Sequence, residues 1–300
     1  MIKTLITIVG PTAIGKTALA IEVAKAFQTV IISADSRQFY REMTIGTAKP
    51  TAEELAAVPH FFINSLSIHE NYSAGDFERE ALTKINELFL EKDVLVLVGG
   101  SGLFVNAVCI GLDDLPKPLP GIRDKLNQRY RDQGLTWLQT ELKRVDPAYY
   151  AVADIQNPQR LIRALEVFES TGKPFSYFRK EQRKSRPFNC LMVGLNTNRE
   201  IVYHQINKRV DHMMQEGLLA EVQDLVPYRH LPPLLTVGYV ELFAYLDHKY
   251  SLETAVEKIK QHTRQFAKRQ ITWFKKDEKI HWFEPSEVQR IIAFIRSALG

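Results

Sequence analysis

Apolar residues along this chain fall into short unbroken runs that alternate with longer stretches in which they recur every three or four positions. The runs at 5–9, 30–32, 94–98 and 191–195 have the length and branched content of strands buried on both faces. Helical spacing marks 16–27, 73–91, 199–217 and 252–275, and in the second of these Phe77, Leu82, Ile85, Leu88 and Phe89 share one face. Strands and helices in this order predict an α/β fold, a parallel sheet with helices on both faces, whose ligands sit at the carboxyl ends of the strands.

The pattern breaks at 115–121, where three prolines and a glycine exclude regular helix or central strand. Beyond this hinge, 122–133, 135–145 and 158–170 read as helices, the last stopping at Gly172-Lys173-Pro174. The expected organisation is a core of residues 1–116 and 188–300 with a mostly helical insertion at 117–187. Charge sharpens this picture. The insertion holds 15 Lys and Arg against 8 Asp and Glu, in a chain whose net charge is only +4. Such a segment suits a polyanion, although solvated helix faces give similar counts. For Arg179-Lys180 and Arg183-Lys184 the solvated face is the simpler reading.

With 45% hydrophobic residues over 300 positions, the chain can bury a substantial core. No apolar stretch reaches the roughly 20 residues of a membrane span, and the first run is too short for a signal peptide. Cys109 and Cys190 are too few for a disulfide framework or a cysteine zinc site and read as buried thiols. A soluble, cytoplasmic chain is expected, and with no exposed zipper pattern, a monomer.

Directly after the first strand stands Gly10-Pro11-Thr12-Ala13-Ile14-Gly15-Lys16-Thr17, a complete phosphate loop in the strand, loop, helix context that makes the motif credible. Its glycines let backbone N–H groups turn inward around an anion, Lys16 adds a point charge, and the following helix contributes the positive end of its dipole. Thr17 is placed to reach a Mg²⁺ ion carried in by a phosphate pair. Asp35 ends the second strand on the same edge. The third runs into Gly99-Gly100-Ser101 with no terminal Asp to hold a metal shell, so Asp35 is the only strand-end acid. Position alone divides it evenly between the metal shell of a kinase and a general base.

Asp35-Ser36-Arg37-Gln38-Phe39-Tyr40 and Ile45-Gly46-Thr47-Ala48-Lys49-Pro50 resemble the signature of the tRNA dimethylallyltransferase family, in its bacterial form. The phosphate loop, 98–103, 157–166, Arg209-Val210-Asp211, Thr236-Val237-Gly238-Tyr239 and 268–274 match family blocks and stand in family order. The resemblance implies a P-loop NTPase-like sheet and transfer of a dimethylallyl group from dimethylallyl diphosphate to the exocyclic amino nitrogen of the adenosine just 3′ of the anticodon. It also implies a tRNA anticodon stem-loop as partner and Mg²⁺ as cofactor. By the same likeness, loop residues 10–17 and Arg199 hold the diphosphate, Asp35 accepts the amino proton, and Ser101 orients that base. Asp35, Ser36, Arg37, Gln38, Ser101, Arg123 and the run Gln159, Arg160, Leu161, Ile162, Arg163 correspond to positions that contact the tRNA around an extruded base.

Arg264, Lys268, Ile271 and Lys275 fall on one helical stripe whose basic members would contact phosphate or face solvent, while Trp273 and Phe274 read as core. Ser101 replaces the family's usual Thr and Phe104 a common Tyr. Gln205 and Val240 replace frequent cations, which predicts weaker or less salt-sensitive tRNA binding.

Overall fold

A computed structural model describes residues 2–180 and 184–300, so Arg183 lies outside the described part. The chain forms two compact units, Met1–Ile110 with Ser185–Gly300, and Gly111–Lys184. The second unit begins at Gly111 and ends at Lys184, where 117 and 187 were expected. Its two connecting segments tie to each other: Lys180 N donates to Asp113 Oδ1 at 3.1 Å and Lys184 Nζ to Asp114 at 2.7 Å.

The first unit opens with β1 (Thr4–Val9), α1 (Lys16–Ala26), β2 (Ile31–Ser33), α2 (Ala52–Ala57), β3 (His60–Phe61), α3 (Ala74–Leu88), β4 (Val94–Val98) and α4 (Gly102–Cys109). The second unit holds α5 (Ile122–Val145), α6 (Pro147–Val152), α7 (Pro158–Thr171) and α8 (Phe175–Phe178). The first resumes with β5 (Asn189–Leu195), α9 (Arg199–Gln215), α10 (Leu218–Asp224), α11 (Tyr239–Leu246), α12 (Leu252–Phe274), β6 (His281–Phe283) and α13 (Val288–Leu299).

All strand pairs are parallel, in the order β3-β2-β4-β1-β5-β6. Four of these strands match apolar runs; β3 and β6 are short edge strands, each beginning with a His and none of their residues fully buried, so they form no unbroken apolar run. Along β1, Leu5 and Val9 enter the core with Phe39 and Phe77, whereas Ile6 and Ile8 enter the opposite core with Leu19 and Ile295. Alternate side chains thus fill both helix-covered faces. Register sets the functional edge. Ile8 stands opposite both Val98 and Val193, and Ser33 opposite Val98, so the loops after β1, β2 and β4 leave the sheet at one level.

The second unit has its own core, including Leu126, Leu138, Leu142, Leu161 and Leu165. Gly134, at φ 75° and ψ −173°, breaks α5 between the two expected helices. Asn157 caps α7, accepting from Gln159 N at 3.1 Å, with Pro158 in the first turn, and Gly172 ends it at φ 71°. Among the described residues no helix is long and apolar enough to cross a membrane.

Candidate active site

The loop after β1 is held open by its own geometry. Gly10 takes φ 146°, and a Cβ there would lie 2.6 Å from the Leu195 carbonyl at the end of β5. Gly15, at φ 95° and ψ 19°, starts α1, so the amides of the first turn and the positive helix end face the loop. Lys16 reaches back across it, its Nζ donating to Pro11 O at 2.7 Å. Ile14 is buried in the core, so its side chain serves packing.

A second cation meets the loop from α9: Arg209 Nη1 donates to Thr12 Oγ1 at 3.2 Å. Burial, reinforced by Arg209, lowers the Lys16 ammonium to about 7, and Asp35 opposes the shift. Burial also lowers Arg209 and Arg37, again against the pull of Asp35. Asp35 thus acts on all three cations, with Glu54 adding to its pull on Arg209, and the desolvated positive charge at Lys16 and Arg209 favours an incoming anion. Arg209 stood in a family block, but nothing in its spacing revealed which of the basic residues on α9 would reach the loop.

Asp35 Oδ1 accepts from Arg37 N at 2.9 Å, a turn that fixes the carboxylate just beyond β2. Ser101 bonds to the neighbouring residue instead of to Asp35. Its Oγ accepts from Ser36 N at 3.2 Å and donates to Ser36 Oγ at 3.2 Å, joining the loops after β2 and β4. Gln38 is engaged internally, with Nε2 donating to Ala48 O at 3.0 Å and Oε1 accepting from Ser33 Oγ at 3.3 Å. The segment it holds is clamped by Glu221, which accepts from Thr44 N, Ile45 N and Gly46 N at 2.7–3.0 Å and from Tyr239 Oη at 2.7 Å. Glu221 has no sequence signal beyond a place on an amphipathic helix.

Other expected residues lie differently. Arg199 Nε donates to Tyr203 Oη at 2.8 Å and its guanidinium stacks on that ring at 5.0 Å, so Arg209 is the α9 cation seen on the loop. Arg264 faces the same Tyr203 ring at 5.9 Å and donates to Asn207 at 2.7 Å, while Lys268 and Lys275 are exposed. Phe274 is core, but Trp273 is 38% exposed; its indole lies over Gly102, where a Cβ would overlap it.

In the second unit, Glu166 is buried and binds two arginines. Arg123 pairs with both its oxygens at 2.8 Å, and Arg163 adds a third bond at 2.8 Å. The fork holds both guanidiniums in place while leaving other N–H groups free of this carboxylate. Gln159 and Arg160 are exposed at the start of α7. Leu161 and Ile162, expected among tRNA contacts, are fully buried, because the apolar face of α7 packs into the unit's core.

Among the described residues no group of three His, Cys, Asp or Glu side chains converges. Any divalent ion at the loop would have the Thr17 hydroxyl and would draw its other ligands from bound phosphate and water. That donor set suits Mg²⁺, which keeps several waters and binds through substrate phosphates.

A parallel sheet with a glycine-rich loop and a helix N-terminus on its carboxyl edge defines a P-loop-type α/β protein. The chain belongs to the IPP transferase family, whose sequence profile matches residues 38–277. It is 53% identical over 297 residues to the tRNA dimethylallyltransferase of Christiangramia forsetii, covering 99% of this chain and 98% of that one. With tRNA dimethylallyltransferase 1 of Bacteroides thetaiotaomicron the identity is 48% over 293 residues, covering 98% and 95%. Among solved structures, the tRNA isopentenylpyrophosphate transferase of Bacillus halodurans aligns at TM-score 0.72 with 36% identity, covering 98% of this chain and 96% of that one. A eukaryotic dimethylallyltransferase acting on tRNA aligns at TM-score 0.79 with 25% identity, covering 94% and 74%.

Proposed function

We infer that this chain transfers a dimethylallyl group from dimethylallyl diphosphate to the exocyclic amino nitrogen of the adenosine 3′-adjacent to the anticodon in certain tRNAs, releasing diphosphate. Family membership supports the reaction, and one observation carries its assignment to this edge of the sheet: Lys16, Arg209 and Asp35 interact there around the phosphate loop.

In this reading the amides of loop 10–17, with Lys16 and Arg209, bind the diphosphate. The allylic C–O bond breaks with its electron pair passing to the diphosphate oxygen, and the same donors stabilise the charge that develops there. The adenine nitrogen, whose lone pair is delocalised into the ring, forms the new C–N bond while Asp35 accepts its proton. Ser101 acts one residue removed, holding Ser36 and with it the Asp35 turn. Mg²⁺ would sit at Thr17 and neutralise diphosphate charge when bound. Reaching Asp35 requires the target base to leave its stack.

The second unit would hold the anticodon stem-loop by charge and shape, through Arg123, Arg160 and Arg163. Lys268 and Lys275 would add phosphate contacts from α12. A cytoplasmic monomer accords with this role. The test is nucleoside mass spectrometry of unmodified tRNA after incubation with the protein, dimethylallyl diphosphate and Mg²⁺. A prenylated adenosine next to the anticodon is expected; its absence, or ADP release from ATP with a small-molecule acceptor, would overturn the reading.

A further inference from the structure

Beyond their strands, the loop after β1 and the loop after β4 are joined by one side chain from a distant helix. Gln270 of α12 is only 6% exposed. Its Oε1 accepts from Thr12 N at 2.8 Å, and its Nε2 donates to Gly100 O at 2.9 Å. Each backbone partner has only one role, donor or acceptor, so the amide orientation is fixed by its chemistry. A Cβ on Gly100 would overlap Nε2 and would stand 3.6 Å from Lys16 Nζ, so the contact also adjoins the cradle's cation. One turn further along, Trp273 lies over Gly102, so α12 covers the whole 100–102 segment.

These contacts form a continuous path. Thr12 of the cradle bonds to Gln270, Gln270 to Gly100, and the next residue, Ser101, to Ser36 beside Asp35. The parallel ladder ends earlier, at the bond from Gly99 N to Ile8 O at 3.2 Å. We propose that Gln270 is a positioning residue for the transfer, a bridging amide that sets the separation between the anion cradle and the loop steadying the Asp35 base. The proposal rests on the functional reading above. It adds a geometric requirement: the allylic carbon bound at one loop and the nucleophile served from the other must meet in line, and a small change in their spacing lowers the rate strongly.

Two substitutions test it from opposite sides. Gln270→Met keeps a similar volume and removes both bonds, while Gly100→Ala leaves Gln270 in place and pushes its amide off the carbonyl. With the full chain, the readouts are inorganic pyrophosphate binding by calorimetry, kcat and KM on unmodified tRNA, and Kd for tRNA. Both variants should bind pyrophosphate about fivefold more weakly and lose about tenfold in kcat. KM and Kd for tRNA should stay within about twofold, the split that separates positioning from general loosening. Unchanged pyrophosphate affinity and kcat in either folded variant overturns the proposal, and so does an equal loss in tRNA affinity. If the unaltered chain transfers nothing yet both variants lose pyrophosphate affinity, the functional reading falls and the bridge stands.

Discussion

Arg209 grips the phosphate loop at Thr12 and from there bears on the Lys16 ammonium as a second positive charge, so two cations far apart in the chain share one cradle. Among the described residues no carboxylate pairs directly with either at the loop; Asp35 acts on both from the end of β2, two strands away, and Glu54 adds to its pull on Arg209.

Pyrophosphate binding should therefore depend on pH. In the free protein Lys16 loses its proton near 7, and a bound anion raises that value. Above pH 7 the complex holds a proton that the free protein lacks, so binding takes up a proton and weakens as pH rises, by at most about tenfold per unit. Calorimetry at pH 7 to 9 in buffers of different ionisation enthalpy reads both effects.

The same shift predicts the effect on stability. The unfolded chain carries Lys16 at its ordinary value of 10.5, so between 7 and 10.5 the unfolded state binds more protons and this group's contribution to stability rises with pH. Lys16→Met should raise the melting temperature of the ligand-free chain at pH 7 and abolish its stabilisation by pyrophosphate. Thermal scans with and without pyrophosphate decide this.

Asp35→Asn keeps the turn acceptor but not the proton acceptor. Turnover should fall by about 100-fold or more, with tRNA affinity little changed. Single-turnover prenylation and filter binding make the comparison, and unaltered turnover would remove Asp35 from the base role.

Arg123→Ala should weaken tRNA binding and flatten the dependence of log K on log salt by about one unit. Arg123→Lys retains the charge but loses the two-toothed grip on Glu166. It should keep the salt slope while binding more weakly.

Glu221→Ala strips the shared acceptor from Thr44, Ile45, Gly46 and Tyr239. A loss of about 2–4 kcal/mol is expected, measured by urea denaturation, with a lower kcat because the segment held by Gln38 adjoins the Asp35 turn.

Much of this architecture was legible from local chemistry. The apolar runs located β1, β2, β4 and β5, the phosphate loop announced itself by glycine spacing, and Gly134 and the prolines at 115–121 marked real breaks. The edge strands β3 and β6 escaped because each begins with a His and neither is buried on both faces, unlike the equally short β2, and α13 escaped although Ile291, Ile292 and Ile295 carry a helical period. Leu161 and Ile162 show the limit of motif reasoning, since a block aligned to RNA contacts includes the helix face that builds the core.

The sequence by itself determined the elements, the cradle and the strand-end carboxylate, because each depends on residues within a few positions of one another. Only the tertiary structure decided which distant side chains complete the site. Arg209 and not Arg199 meets the loop, Ser101 steadies Ser36 and not Asp35, and Gln270 and Glu221 clamp loops 170 or more residues away in the chain. Such contacts follow from strand order and helix packing, which bring far residues together at distances that no local pattern encodes.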